Sequence, residues 1–172
     1  MDFGTERWID AGGTSLQVRS WGEHIGRDVL YWHGVGFTSR GGASRGEAAP
    51  QLVRDHRLRV VALDAPGFGG SPALEPARYH PHALADLVPA LLDALEPSST
   101  GSPRRSRRRH ARGLTLPVLL VADAAATEDD LASFRADVPH AEVIRPRVPG
   151  HNVLLVGGAE TVRAVGDWLE AR

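Results

Sequence analysis

Cysteine is missing from the 172 residues, and that single absence removes disulfides, thiolate zinc sites and a cysteine nucleophile together. It fits a reducing compartment. Lysine is missing as well: all 20 basic residues are arginine, the usage of a GC-rich coding sequence rather than of recognition chemistry. Acidic residues number 21, and a formal net charge of -1 argues against a chain that is basic throughout and holds nucleic acid by bulk charge. Long apolar runs are also lacking. No segment approaches the roughly 18 apolar residues of a membrane span, and the amino-terminal MDFGTERWIDAGG carries charges and glycines where a secretory signal needs an apolar stretch. The expectation is a cytoplasmic protein with no membrane partner. What is present, 42% apolar residues in a chain of one-domain length, is the composition of an ordinary globular protein whose single core is held by packing.

Periodicity orders the chain into alternating strands and helices. ERWIDAGGTSLQVRSWG predicts an antiparallel hairpin turning at Gly12-Gly13, with Leu16, Val18 and Ser20 alternating against Gln17, Arg19 and Trp21. VLYWHG at 29–34 and VVALDAPG at 60–67 are continuous apolar runs, the pattern of parallel strands covered on both faces. Between them GEAAPQLVRDH supplies a short crossover helix, with Ala48, Ala49, Leu52 and Val53 on one face and Pro50 in the first turn. YHPHALADLVPALLDAL predicts a helix burying Leu84, Leu87, Val88, Leu91, Leu92 and Leu95, kinked at Pro89. Later, LPVLLVAD reads as another buried strand. It is followed by a helix capped by Thr127 with Asp130 three residues on, whose inner face is Leu131, Phe134 and Val138. AEVIRPRV is a further strand, and AETVRAVGDWLEAR closes as a helix burying Val162, Val165 and Leu169. The implied fold is α/β: an incomplete sandwich with a mostly parallel sheet, helices on both faces and an N-terminal antiparallel hairpin, in a single domain over 1–172.

Three segments carry candidate chemistry. In Tyr31-Trp32-His33-Gly34-Val35-Gly36-Phe37 a buried strand ends in His-Gly, and the glycines let the backbone turn sharply enough to aim amides at a ligand. In Leu63-Asp64-Ala65-Pro66-Gly67-Phe68-Gly69-Gly70-Ser71 a strand ends at an aspartate followed by a Gly-rich turn; Asp64, Pro66 and Gly67 read as shaping a loop beside a pocket rather than reacting in it. Val148-Pro149-Gly150-His151-Asn152 runs from a strand into a loop with a histidine.

In this order and spacing the three segments resemble the α/β-hydrolase family, over nearly the whole chain except residues 97–113. HGVGF looks like that family's oxyanion loop, LDAPGFGGS like its Asp-x-Pro-Gly-x-Gly-x-Ser turn, and the histidine segment like its catalytic-histidine loop. The resemblance implies that His33, Gly34, Val35, Gly36 and Phe37 line the oxyanion and substrate site, with Val35, and Gly36 beside it, supplying the amides, and that His151 is the general base. The family's acid follows the strand matched by Pro117–Val121; here glycine and the usual aspartate position are both alanine, which leaves Asp123 as the acid candidate and Glu128 and Asp129 as alternatives. The nucleophile is where the chain departs furthest. Its one Gly-x-Ser-x-Gly match, Gly42-Ala43-Ser44-Arg45-Gly46, follows GFTSRG instead of an apolar strand and falls between the third and fourth strands, so Ser44 lacks the strand-turn-helix setting of an elbow.

The elbow's place, after the helix ending near Leu95, is taken by EPSSTGSPRRSRRRHARG, in which six of the nine residues from Arg104 to Arg112 are arginine. It divides the domain into an N-terminal half, 1–96, an Arg-rich linker, 97–113, and a C-terminal half, 114–172. A disordered linker or an out-of-frame stretch across a deletion is favoured over an electrostatic binding arm, because no aromatics interleave the arginines for base stacking. With strands missing at about 4.8 Å each, the sheet must re-pair or split, and its exposed edges offer a surface for self-association. The resemblance therefore implies an esterase-like hydrolase of small apolar substrates, weak or inactive for want of the elbow; the alternative is a non-catalytic remnant or a binding module with an Arg-rich arm. No cofactor is implied, nucleic acid is not expected as a partner, and His80, His82 and His110 have no third ligand spaced to make a metal site.

Overall fold

The computed structural model describes residues 4–23, 27–32, 38–39, 48–79, 83–84, 86–95, 117–122, 125–147 and 158–172. Strands β1 (Thr5–Ala11) and β2 (Thr14–Trp21) form the expected hairpin, Thr5 opposite Ser20 and Ala11 opposite Thr14. Gly12 and Gly13 take φ of +64° and +82° in the two-residue loop, the left-handed conformation in which a side chain is strained. The Gly13 N–H donates to Asp10 Oδ1 at 3.0 Å.

Strand β3 (Arg27–Trp32), helix α1 (Ala48–His56) and strand β4 (Leu58–Leu63) follow, with β3 and β4 parallel and Trp32 opposite Leu63. β4 also pairs antiparallel with β2, giving a four-stranded sheet in the order β1-β2-β4-β3. The strand begins two residues before the apolar run because Arg59, 8% exposed, is neutralised in place: its Nε donates to Asp28 Oδ1 at 2.8 Å, its Nη2 to Asp28 Oδ2, and Nη2 also reaches the Leu95 carbonyl at 3.1 Å. A buried guanidinium is tolerated only with such partners. The strand ends at Leu63, so Asp64 to Gly67 belong to the following loop.

Helix α2 (Leu87–Leu95) covers one face of this sheet, where Leu87, Leu91 and Leu95 pack with Ile9, Leu16, Val18, Val61 and Leu63. Ala83 and Leu84 are helical as well, Asp86 is a turn residue and the helix resumes at Leu87, so the expected helix is interrupted three residues before Pro89, whose ring disfavours a regular preceding turn. Helices α1 and α4 (Gly158–Glu170) cover the other face, burying Trp21, Ala48, Ala49, Leu52, Val60, Ala62, Val162 and Val165 in one cluster. The alternation along β2 thus distributes Leu16 and Val18 to one covered face and Trp21 to the other.

Strands β5 (Leu119–Val121) and β6 (Glu142–Ile144) form a separate parallel pair, joined by helix α3 (Glu128–Asp137). Thr127 caps α3 as expected: its Oγ1 accepts from the Asp130 N–H at 3.2 Å, and Asp130 Oδ2 accepts from the Thr127 N–H at 2.9 Å. The Thr127 hydroxyl also donates to Asp130 Oδ2 at 2.7 Å, and this bond first, with the one from the Thr127 N–H, holds the Asp130 carboxyl below its ordinary range. Among the described residues β3 and β5 share no ladder, so the pairing is divided between two sheets. Packing still joins them, since Leu119, Val121 and Ile144 rest against the α1–α4 cluster. Helix α4 ties both parts. Toward the larger sheet, His56 Nδ1 meets Glu170 Oε1 at 2.6 Å and the His56 ring sits where a Cβ on Gly166 would be. Toward the smaller one, Arg172 pairs with Glu142 while its guanidinium lies 4.4 Å from the Trp168 ring.

Candidate functional site

In an open α/β sheet the ligand crevice lies beyond the carboxyl ends of the parallel strands. For β3 and β4 those ends are Trp32 and Leu63, side by side in register, and the groups that gather there centre on Asp64. Its side chain belongs to a residue only 2% exposed. Oδ1 accepts the backbone N–H of Ser39, and Oδ2 accepts that of Gly70 at 3.3 Å. A buried carboxylate without a cation needs this kind of compensation from amide dipoles, and among the described residues no arginine or histidine pairs with it.

The same loop is fastened to β2. Gln17 N–H donates to Ser71 Oγ at 2.9 Å, Gln17 Oε1 accepts from the Gly70 N–H at 2.8 Å, and the Gln17 carbonyl accepts from the Asp64 N–H at 2.9 Å. Ser71 Oγ in turn donates to the Asp64 carbonyl at 2.6 Å. Gly69 has φ +53°, and a Cβ there would collide with the Asp64 carboxylate, so the sequence Gly-Gly-Ser is dictated by close approach as much as by backbone conformation. Pro66 is fully buried beneath the turn, and the Tyr79 hydroxyl closes it by accepting the Leu74 N–H at 3.1 Å. With both oxygens engaged by amides, Asp64 is arranged to hold backbone in place and not to attack or take a proton. That agrees with its reading from sequence as a loop-shaping residue. Ser39 and Gln17 escaped that reading because their partners lie 25 and 54 residues away and neither belongs to a recognisable local pattern.

Of the residues assigned to chemistry from the sequence, His33, Gly34, Val35, Gly36 and Phe37, the base His151, the acid Asp123 and the rejected Ser44 all lie outside the described residues. The described chain does approach them. Trp32 and Thr38 flank the first group, and Ala122, its N–H bonded to the Ile144 carbonyl at 2.9 Å, immediately precedes Asp123. The alternative acids are described: Glu128 and Asp129 stand in the first turn of α3, and Glu128 is paired with Arg145 at 2.8 Å, which is the behaviour of helix-start acids. Tyr31, one residue before the end of β3, has its phenol pushed up to about 12 by burial. A depression of about 260 Å³ lined by Gly22, Glu23, Val53, Arg57 and Leu58 lies at the amino end of β4, the opposite edge from Asp64.

Among the described residues there is no group of His, Asp or Glu that could hold a metal ion, and no helix is long and apolar enough to cross a membrane. His80, His82 and His110, and the whole of 97–113, lie outside the described residues.

No protein-family model matches the chain, and no curated protein matches it in sequence. Solved structures do. A predicted CIB-like hydrolase from Thermoplasma acidophilum superposes with a TM-score of 0.68 at 19% identity, covering 98% of each chain. A serine hydrolase involved in carbazole degradation gives 0.65 at 15% identity, over 98% of this chain and 99% of its own. The thioesterase domain from the curacin biosynthetic pathway gives 0.56 at 16%, over 96% and 98%. These are α/β-hydrolase-fold proteins, and the chain has that fold. At such identities the likeness is one of architecture.

Proposed function

We propose that this chain is an α/β-hydrolase-fold hydrolase of ester-type bonds in small, mostly apolar molecules, working slowly because no Gly-x-Ser-x-Gly elbow follows a strand. In this reading His151 serves as base, Asp123 orients its imidazole, and the Val35 and Gly36 amides stabilise the oxyanion, with His33, Gly34 and Phe37 lining the substrate. The observation that carries it is the Asp64 network at the carboxyl ends of β3 and β4, which fastens the far end of the segment those amides belong to. Without a positioned nucleophile the mechanism is base-assisted attack of water: His151 takes a proton from water, the hydroxyl adds to the carbonyl carbon, and the alkoxide leaves with the proton returned. Isolated members of a triad retain only a small part of its effect.

Turnover of a short 4-nitrophenyl ester tests this. The parent should hydrolyse it slowly, His151→Ala should abolish the activity, and Ser44→Ala should leave it unchanged. Loss of activity in Ser44→Ala would restore that serine as nucleophile. An inactive parent would favour the second reading, a non-catalytic remnant or binding module, which draws on the Arg-rich stretch standing where the elbow belongs.

A further inference from the structure

We infer that Asp64 is a positioning residue for the backbone that follows β3. The argument is one of anchorage. Six residues, 33–38, connect Trp32 to Ser39. Trp32 is registered opposite Leu63, and Ser39 donates its N–H to the carboxylate of Asp64, so consecutive residues of β4 and its loop hold both ends of the connection. Ser39 is fully buried and its hydroxyl has no hydrogen-bond partner among the described residues; it is the amide that makes this tie. The carboxylate is itself immobilised: its second oxygen is occupied by Gly70, whose N–H is shared with Gln17, and the backbone on both sides of Asp64 is bonded to Gln17 and Ser71. A carboxylate is suited to this because it presents acceptors on both oxygens, whereas the isosteric amide of asparagine presents one acceptor and one donor.

For catalysis the inference rests on the proposed function, in which residues 33–37 bind substrate and stabilise the oxyanion. Positioning by Asp64 would then act on the transition state more than on ground-state binding, because an oxyanion hole depends on where its amides point.

Amide hydrogen exchange and ester turnover test the two halves separately. In Asp64→Ala both acceptors are gone, and exchange at Ser39 should accelerate at least tenfold while the hairpin amides of 5–21, which report that the protein is folded, stay as in the parent. Asp64→Asn keeps one acceptor, and because the Gly70 N–H also has Gln17 Oε1 at 2.8 Å, the remaining oxygen can stay with Ser39, so this variant should be the milder of the two. Gln17→Ala, which removes an acceptor from Gly70 alone, should accelerate Gly70 and spare Ser39. For 4-nitrophenyl ester turnover Asp64→Ala should lower kcat about tenfold or more with KM changed less than twofold. Ser39→Pro, which deletes the donor and keeps the carboxylate, should reproduce that loss, and the double variant should lose no more than the worse single one. Unchanged Ser39 exchange in a folded Asp64→Ala protein overturns the inference; faster exchange with kcat intact overturns its catalytic half. Should Asp64→Ala not fold, Ser39→Pro with parental kcat still overturns the catalytic half, and Ser39 exchange faster in Asp64→Asn than in the parent supports the tie. An inactive parent defeats the proposed function while leaving Ser39 exchange to decide the positioning.

Discussion

The two sheets formed by the described residues are built from similar apolar sequences and are treated differently by the fold. In the four-stranded sheet every residue of β4 is buried, because β4 has a strand on each side, α1 and α4 over one face and α2 over the other. In the two-stranded sheet the three residues of β5 are all half-buried although they read Leu-Leu-Val, and those of β6 are half-buried or exposed. Sequence hydrophobicity set the opportunity for burial in both; the number of neighbours decided how much of it was realised. The larger sheet should therefore hold most of the free energy of folding, and the smaller should depend on what α4 brings to it.

The largest expected effect separates the two directly. Leu63→Ala empties a fully buried site and should cost about 2–5 kcal/mol, whereas Leu120→Ala in the half-buried strand should cost about 1 kcal/mol; urea denaturation of the two variants measures both. Equal costs would break the comparison. A second test loads charge onto the larger sheet alone. Because the Tyr31 phenol titrates near 12 when folded and near 10 when unfolded, its contribution is fully present below pH 10 and is lost as pH rises to 12, on the order of 2–3 kcal/mol. Thermal melts of the parent between pH 9 and 12 should fall more steeply than those of Tyr31→Phe. The smallest effect concerns the tether: Arg172→Ala should cost about 0.2–1 kcal/mol in global stability, yet accelerate amide exchange across 142–144 with the hairpin unchanged. Parallel acceleration in both sheets would mean that α4 does not serve them separately.

Much of this architecture was legible because its causes are local. Gly12-Gly13 between alternating strands announces the hairpin, Thr127 and Asp130 announce a capped helix, and unbroken apolar runs announce parallel strands between helices. The exceptions have causes that are distant in sequence. Arg59 disguises the start of β4, and only Asp28, 31 residues earlier, makes a guanidinium acceptable there. Pro89, by contrast, acts locally: helical residues at 83–84 and the helix from Leu87 are separated by a turn at Asp86. At the site, the loop-shaping character of Asp64 was readable from its glycine-rich surroundings, while the identity of what it holds was not, since an amide donor has no side-chain letter to betray it.

The strand order has a consequence for how the molecule is made. The four described strands of the larger sheet all lie between Thr5 and Leu63. A chain emerging from the ribosome amino end first has these strand-pairing partners in hand once Leu63 has been synthesised, although the helices that cover the sheet's faces, α2 and α4, arrive later. Until they do, Leu16, Val18, Val61 and Leu63 lack the Leu87, Leu91 and Leu95 that cover them in the folded protein, and that apolar face is the surface through which a nascent chain of this sequence would associate wrongly.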